Sequence, residues 1–212
     1  DVIKDRQYTC KTESHARRST QTALHHVLEA LLRWMAPILS FTAEEAWQQT
    51  PGERPDSVFF SQWYEKLEPP SGQDAMGAAF WQILLQVREA VGPKLEALRN
   101  EKIIGSSLDA EVDLYCDDEL LALLEQLGDE LRFAFITSYA RMHPLADKPE
   151  ALETQTLENG RTLAVSVAAS EHQKCVRCWH HREEVGSHAD HPEICGRCIE
   201  NIEGEGEVRR YA

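Results

Sequence analysis

Two Cys-x-x-Cys pairs, Cys175/Cys178 and Cys195/Cys198, constrain this chain more than any other feature. A two-residue gap lets one tight turn aim both sulfurs at one ion. Two such knuckles, here separated by residues 179–194, complete the tetrahedral four-thiolate shell of structural zinc. The alternative is a pair of disulfides. A disulfide across so short a turn is strained, and such cross-links belong to secreted chains, which nothing else in the sequence suggests. The expectation is one Zn2+ per chain, held by Cys175, Cys178, Cys195 and Cys198.

The neighbours of the pairs carry the open questions. Five of the nine histidines, His172, His180, His181, His188 and His191, crowd this region and compete as ligands, although four thiolates already fill a tetrahedron. Four thiolates on a divalent ion leave a formal charge of about −2 that calls for nearby donors. Lys174, Arg177 and Arg197 are placed to supply them, or else to meet phosphates. Trp179, directly after the first knuckle, either packs on a module with little core of its own or offers a face on which an RNA base stacks.

The remaining cysteines, Cys10 and Cys116, read as small buried hydrophobes. A length of 212 residues allows one large domain or two small ones. The longest stretch without a charged residue, Ala75 to Val87, is too short to span a bilayer. With no basic-then-apolar leader, a cytoplasmic protein away from membranes is expected. The first residue is Asp1 rather than Met, as in a piece of something longer. A net charge of −14 argues against nucleic-acid binding by bulk attraction. The acidity is uneven, however: Lys4 to Arg18 is net basic, so binding would be local. Arg17 and Arg18 are candidate RNA contacts there, with a solvated helix face as the ordinary alternative.

Apolar residues Leu24, Val27, Leu28, Leu31, Leu32 and Met35 recur at helical spacing and predict an amphipathic helix from about Arg17 to Met35. Thr42 and Glu45 form a capping box that predicts a second helix after Pro37. Residues 51–73, with Phe59, Phe60, Trp63 and Tyr64, read as a loop draped on the helices. A third helix is predicted from a cap at Asp74 through Leu98, continuing past Gly92-Pro93 with a kink. Ala110, Val112 and Leu114 alternate with polar residues and predict a strand; Asp117 or Asp118 then caps a helix ending near Gly128. A strand is expected from Leu131 to Met142, although Leu131-Arg132-Phe133 also suits a helix. Residues 143–160 read as a mobile connection, Leu163, Val165 and Val167 as a strand, and the last ten residues as loosely ordered. No phosphate-cradling glycine loop and no catalytic triad context occurs.

The run Arg33-Trp34-Met35-Ala36-Pro37-Ile38-Leu39-Ser40-Phe41-Thr42-Ala43-Glu44-Glu45-Ala46-Trp47 resembles the anticodon-binding helical domain of class I aminoacyl-tRNA synthetases. Asp1-Val2-Ile3-Lys4-Asp5-Arg6 is similar to an earlier helix of that domain, and Ile104-Gly105-Ser106-Ser107-Leu108 to the segment that follows the bundle. Lys174-Cys175-Val176-Arg177-Cys178-Trp179-His180 with Glu193-Ile194-Cys195-Gly196-Arg197-Cys198 resembles the C-terminal zinc finger of the bacterial isoleucine-tRNA ligases, itself related to that of a formamidopyrimidine-DNA glycosylase. The family's HIGH-like and KMSKS-like motifs are absent from this sequence, and the editing domain has no room.

The resemblance implies a mainly α chain with a small α+β part. Its units would be a helical anticodon-binding bundle over 1–102, incomplete at its N-terminus, a small α/β connector over 103–170 and a zinc module over 171–212. It implies a monomer that binds the anticodon stem-loop of isoleucine tRNA and works with the remainder of its own enzyme. ATP and Mg2+ would act only in a catalytic domain outside this chain. The RNA contacts expected are Lys174, Arg177, Trp179, Arg197, Arg17 and Arg18. The rival is a zinc-ribbon module for protein or DNA binding with no enzymatic parent.

Overall fold

The computed structural model describes residues 2–68 and 76–212. Helix α1 spans Lys4–Thr9, α2 His15–Met35, α3 Ser40–Gln49 and α4 Ala78–Asn100. Strand β1 spans Ala110–Cys116, followed by α5 Asp118–Leu124, α6 Leu131–Phe135, β2 Tyr139–Pro144, β3 Thr154–Thr156, β4 Thr162–Ala169 and α7 Gly196–Ile202. No described helix is long and apolar enough to cross a membrane.

Helix α2 starts where Ser14, in extended backbone, accepts a hydrogen bond from the Arg17 N–H at 3.3 Å. Its predicted apolar stripe is not inside the structure. Only Leu32 is buried, whereas Leu24, Val27, Leu28 and Leu31 are between 38% and 46% exposed. Helix α3 begins at Ser40 instead of the capping box: the Ser40 hydroxyl donates back to the Ala36 carbonyl at 2.9 Å, which joins the end of α2 to the first turn of α3. Leu32, Ala36, Ala43, Trp47 and Val58 form a small core between α2, α3 and a one-turn helix at Val58–Phe60. The neighbouring Phe59, Phe60 and Trp63 are exposed, whereas Val58 is buried against the helices and Tyr64 bonds His26 of α2.

Helix α4 continues through Pro93. Pro93 and Glu89, whose carbonyl loses its partner at that turn, both lie on the exposed side of the helix. The expected cap Asp74 lies outside the described residues, and Gly77 occupies the N-cap position. The buried face Phe80, Leu84, Val87, Val91 and Leu95 shares one core with Val112, Leu114, Leu163 and Val165 of the sheet. The core therefore joins α4 to the sheet.

The sheet has the order β2-β1-β4-β3. β1 runs parallel to β2, with Val112 opposite Ala140, and antiparallel to β4, with Leu114 opposite Val165. A parallel neighbour requires a crossover, which α5 and α6 provide. Asp117 caps α5 by accepting from the Leu120 N–H at 2.9 Å. Three expectations change here. Residues 131–135 are helical, the alternative that Leu131-Arg132-Phe133 left open, with all five residues buried rather than alternating, and β2 starts only at Tyr139. The connection over 143–160 holds β3, whose residues are exposed and show no alternation. The tail is tied down: Glu130 accepts from the Arg210, Tyr211 and Ala212 backbone N–H groups at 2.7, 2.7 and 2.8 Å, and Arg209 and Ala212 are buried.

Candidate metal centre and nucleic-acid interface

Each knuckle is a tight turn closed by its own backbone. The Trp179 N–H donates to the Cys175 carbonyl, the Cys175 N–H to the His180 carbonyl and the Cys198 N–H to the Cys195 carbonyl, each at 2.9 Å. The turns bring the four sulfurs within 4.8 Å of one another. Cys175 to Cys198 and Cys178 to Cys195 are both 3.7 Å apart, sulfur to sulfur. A tetrahedron with Zn–S bonds of about 2.3 Å has edges of about 3.8 Å, so the donors fit zinc. All four cysteines are buried and free of disulfides, a donor set that suits one zinc.

Crowding separates their protonation. Hydrogen bonds from Cys175, Cys195 and Cys198 drive the Cys178 pKa far down. Contact with Cys175, Cys178 and Cys195 drives that of Cys198 far up. A divalent cation lets all four be thiolate together. The Cys195 N–H and the Arg177 guanidinium donate to sulfur at 3.4 and 3.5 Å and offset the charge of the shell. Among the described residues the histidines stay outside the four-ligand set. His180 is buried with its ring 5.6 Å from that of Phe133, and His181 packs on Asp109.

Arg177 and Arg197 hold equivalent places before the second cysteine of each pair, yet they part ways. Arg177 is half-buried on the thiolates. The Arg197 side chain, 10% exposed, grips Asp5 of α1 through two bonds of 2.7 and 3.0 Å, with Glu207 at 3.1 Å. Burial would raise the Asp5 pKa, but the hydrogen bond and charge of Arg197, with the charge of Arg209, outweigh it and hold the carboxyl at about 2. The Arg197 guanidinium is spent on docking the zinc module to α1. Lys11 adds bonds to Asn201 Oδ1 at 3.0 Å and to the Gly204 carbonyl at 2.6 Å. No local signal could have revealed this junction, since Asp5 and Arg197 lie at opposite ends of the sequence and each looks like an ordinary surface charge.

Trp179 is 61% exposed, which removes packing as its explanation. Its φ is 66°, in the left-handed region. That conformation costs an L-residue roughly 1–2 kcal/mol, and glycine is its usual occupant. Lys174, on the same knuckle, reaches Asp109 at 3.3 Å with its side chain 47% exposed. Arg18 is exposed and pairs with Glu13 at 3.1 Å, and Arg17 is half-buried on the next position of α2. Cys10 and Cys116 are buried, and burial pushes both thiols up to about 12.

Comparison with known proteins gives this geometry a context. Residues 1–114 match the family described as the anticodon-binding domain of tRNA ligase. Residues 173–201 match a zinc finger found in FPG and IleRS. The chain is 58% identical to the isoleucine-tRNA ligase of Thioalkalivibrio sulfidiphilus, 59% to that of Alkalilimnicola ehrlichii and 58% to that of Nitrosococcus oceani. Each comparison covers 100% of this chain and 22% of the relative, so the chain spans about a fifth of the length of these ligases. With the anticodon-binding domain matched over more than half of its residues, the chain belongs to the anticodon-binding domain family of tRNA ligases.

Proposed function

We propose that this chain is the tRNA-recognition part of an isoleucine-tRNA ligase. It binds and orients the anticodon stem-loop of isoleucine tRNA, while ATP-dependent attachment of isoleucine takes place in parts of the enzyme outside these residues. Holding the far end of the tRNA in one orientation helps to deliver its acceptor end to the reacting groups. Catalytic residues are not assigned within the chain. The zinc is structural, because four protein ligands leave no open position for a substrate.

The observation that carries this reading is Trp179: an exposed indole kept in a backbone conformation that favours glycine. Strain of this kind collects at functional sites. Stacking on a base is what such a ring offers, with Lys174 and Arg177 beside it to meet phosphates. Arg17 and Arg18 would extend the contact along α2.

The exposed stripe of Leu24, Val27, Leu28 and Leu31 supports a bundle completed by another helix of the parent enzyme, since its i, i+3, i+4, i+7 spacing is that of a helix-packing face. The protein is placed in the cytoplasm as a monomer, with no membrane contact. The test is Trp179→Ala in the full-length ligase. Charging of tRNA should weaken while amino-acid activation stays near wild type, and equal loss of both would defeat the positioning role.

A further inference from the structure

We propose that a cavity of about 620 Å³ between α2 and residues 51–66 takes one unpaired nucleobase of the tRNA; the proposal rests on the tRNA-binding reading above. The volume lies within the roughly 300–1,000 Å³ of ligand pockets. One wall is α2, through His25, His26, Glu29 and Arg33, and the other is the loop that carries Trp63 and Tyr64.

The lining has the chemistry of base recognition. Trp63 is 66% exposed, with its ring 6.1 Å from that of Trp34, so a flat apolar face stands open at the cavity. The Tyr64 hydroxyl and His26 Nδ1 are hydrogen-bonded to each other, which fixes the orientation of both. Arg33, Arg54 and Lys66 are balanced by Glu29, Glu53 and Glu65 around the same cavity. A wall of zero formal charge with donors and acceptors of both kinds suits the edge of a neutral base better than a phosphate.

The polar wall is also rigid. Glu29 is buried and pairs with Arg33 at 2.8 Å and with Arg54 at 3.0 Å. Both guanidiniums lie 4.7 Å from the centre of the Trp47 ring. Groups fixed before the ligand arrives lose little freedom on binding. At 3.6 residues per turn, His25, His26, Glu29 and Arg33 fall on the side of α2 opposite Leu24, Val27, Leu28 and Leu31. A helix covering the apolar stripe would therefore leave the cavity open.

The experiment uses the full-length ligase that carries this chain and anticodon stem-loop RNAs in which each unpaired position in turn is made abasic. For the wild type, one abasic position should weaken binding by about 5- to 160-fold, the range of one stacked base. Trp63→Ala should erase that position's penalty and leave the others. Because Trp63 is exposed, the variant should fold; Lys66→Ala gives a second exposed probe of the same cavity. Penalties that match between variants and wild type at every position would overturn the pocket while leaving tRNA binding intact. No binding of any of the RNAs would overturn the tRNA reading and the pocket together.

Discussion

Replacing Trp179 by glycine and, separately, by alanine separates the backbone at this position from the side chain. Both variants lose the indole and whatever it touches. They differ in φ preference alone. At the observed φ of 66°, alanine pays roughly 1–2 kcal/mol for the left-handed conformation. Glycine pays nothing there, but it gives up about 0.5–1 kcal/mol more chain entropy on folding. The glycine variant should therefore be more stable than the alanine variant by about 0.5–1 kcal/mol, whereas at an ordinary extended or helical position the order is reversed. Urea unfolding of the zinc-loaded proteins reads the difference as a shift in midpoint at constant slope. RNA affinity should behave otherwise. If the exposed indole stacks on a base, both variants lose about 1–3 kcal/mol of binding, and they lose it equally. An alanine variant at least as stable as the glycine variant would refute the strain. An affinity loss that follows the stability order would refute the stacking.

At neutral pH, Asp5→Asn should destabilise the docking of the zinc module by about 2 kcal/mol, worked from a carboxyl held at about 2 against its ordinary 3.8. Because the folded pKa is the lower one, the contribution is complete above about pH 4 and is lost as the pH falls through 2. The gap between wild-type and variant unfolding midpoints should close over that window, and a constant gap would contradict the pairing. Cys195→Ser should bring the zinc content below one ion per chain and unfold the module, because binding and folding are coupled in such units. The other two apolar cores contain none of the four cysteines and should survive, as near-ultraviolet circular dichroism would show. Leu28→Gln should change the stability of this chain by less than about 0.5 kcal/mol, since the side chain is already exposed. In the full-length ligase the same change should cost about 1–3 kcal/mol if a helix covers it, and equal effects in the two proteins would argue against that cover.

The metal centre was legible in the sequence because its signal is local: two pairs, a fixed gap within each, and turns that close on themselves. Strand β1 and helix α4 were legible for a similar reason, since the period of their apolar residues matches one buried face. The partner of a face was much harder to read. The α2 stripe follows the helical period well, yet it lies open, because periodicity states that a face wants cover and not what covers it. Strand β3 carries no alternation and is held only by pairing to β4. The fate of Arg197 depends on Asp5 and Glu207, which the chain brings to it from a distance. Trp179 gained its significance from a backbone angle that no residue pattern specifies.

The central claim is that this zinc-bearing chain recognises tRNA. Titrating the zinc-loaded chain with isoleucine tRNA, a non-cognate tRNA and duplex DNA, each at two salt concentrations, tests it most directly. Binding should be tightest to isoleucine tRNA at both salt concentrations and weaker in the Trp179→Ala variant. Equal affinity for all three nucleic acids, unchanged by the loss of Trp179, would contradict it.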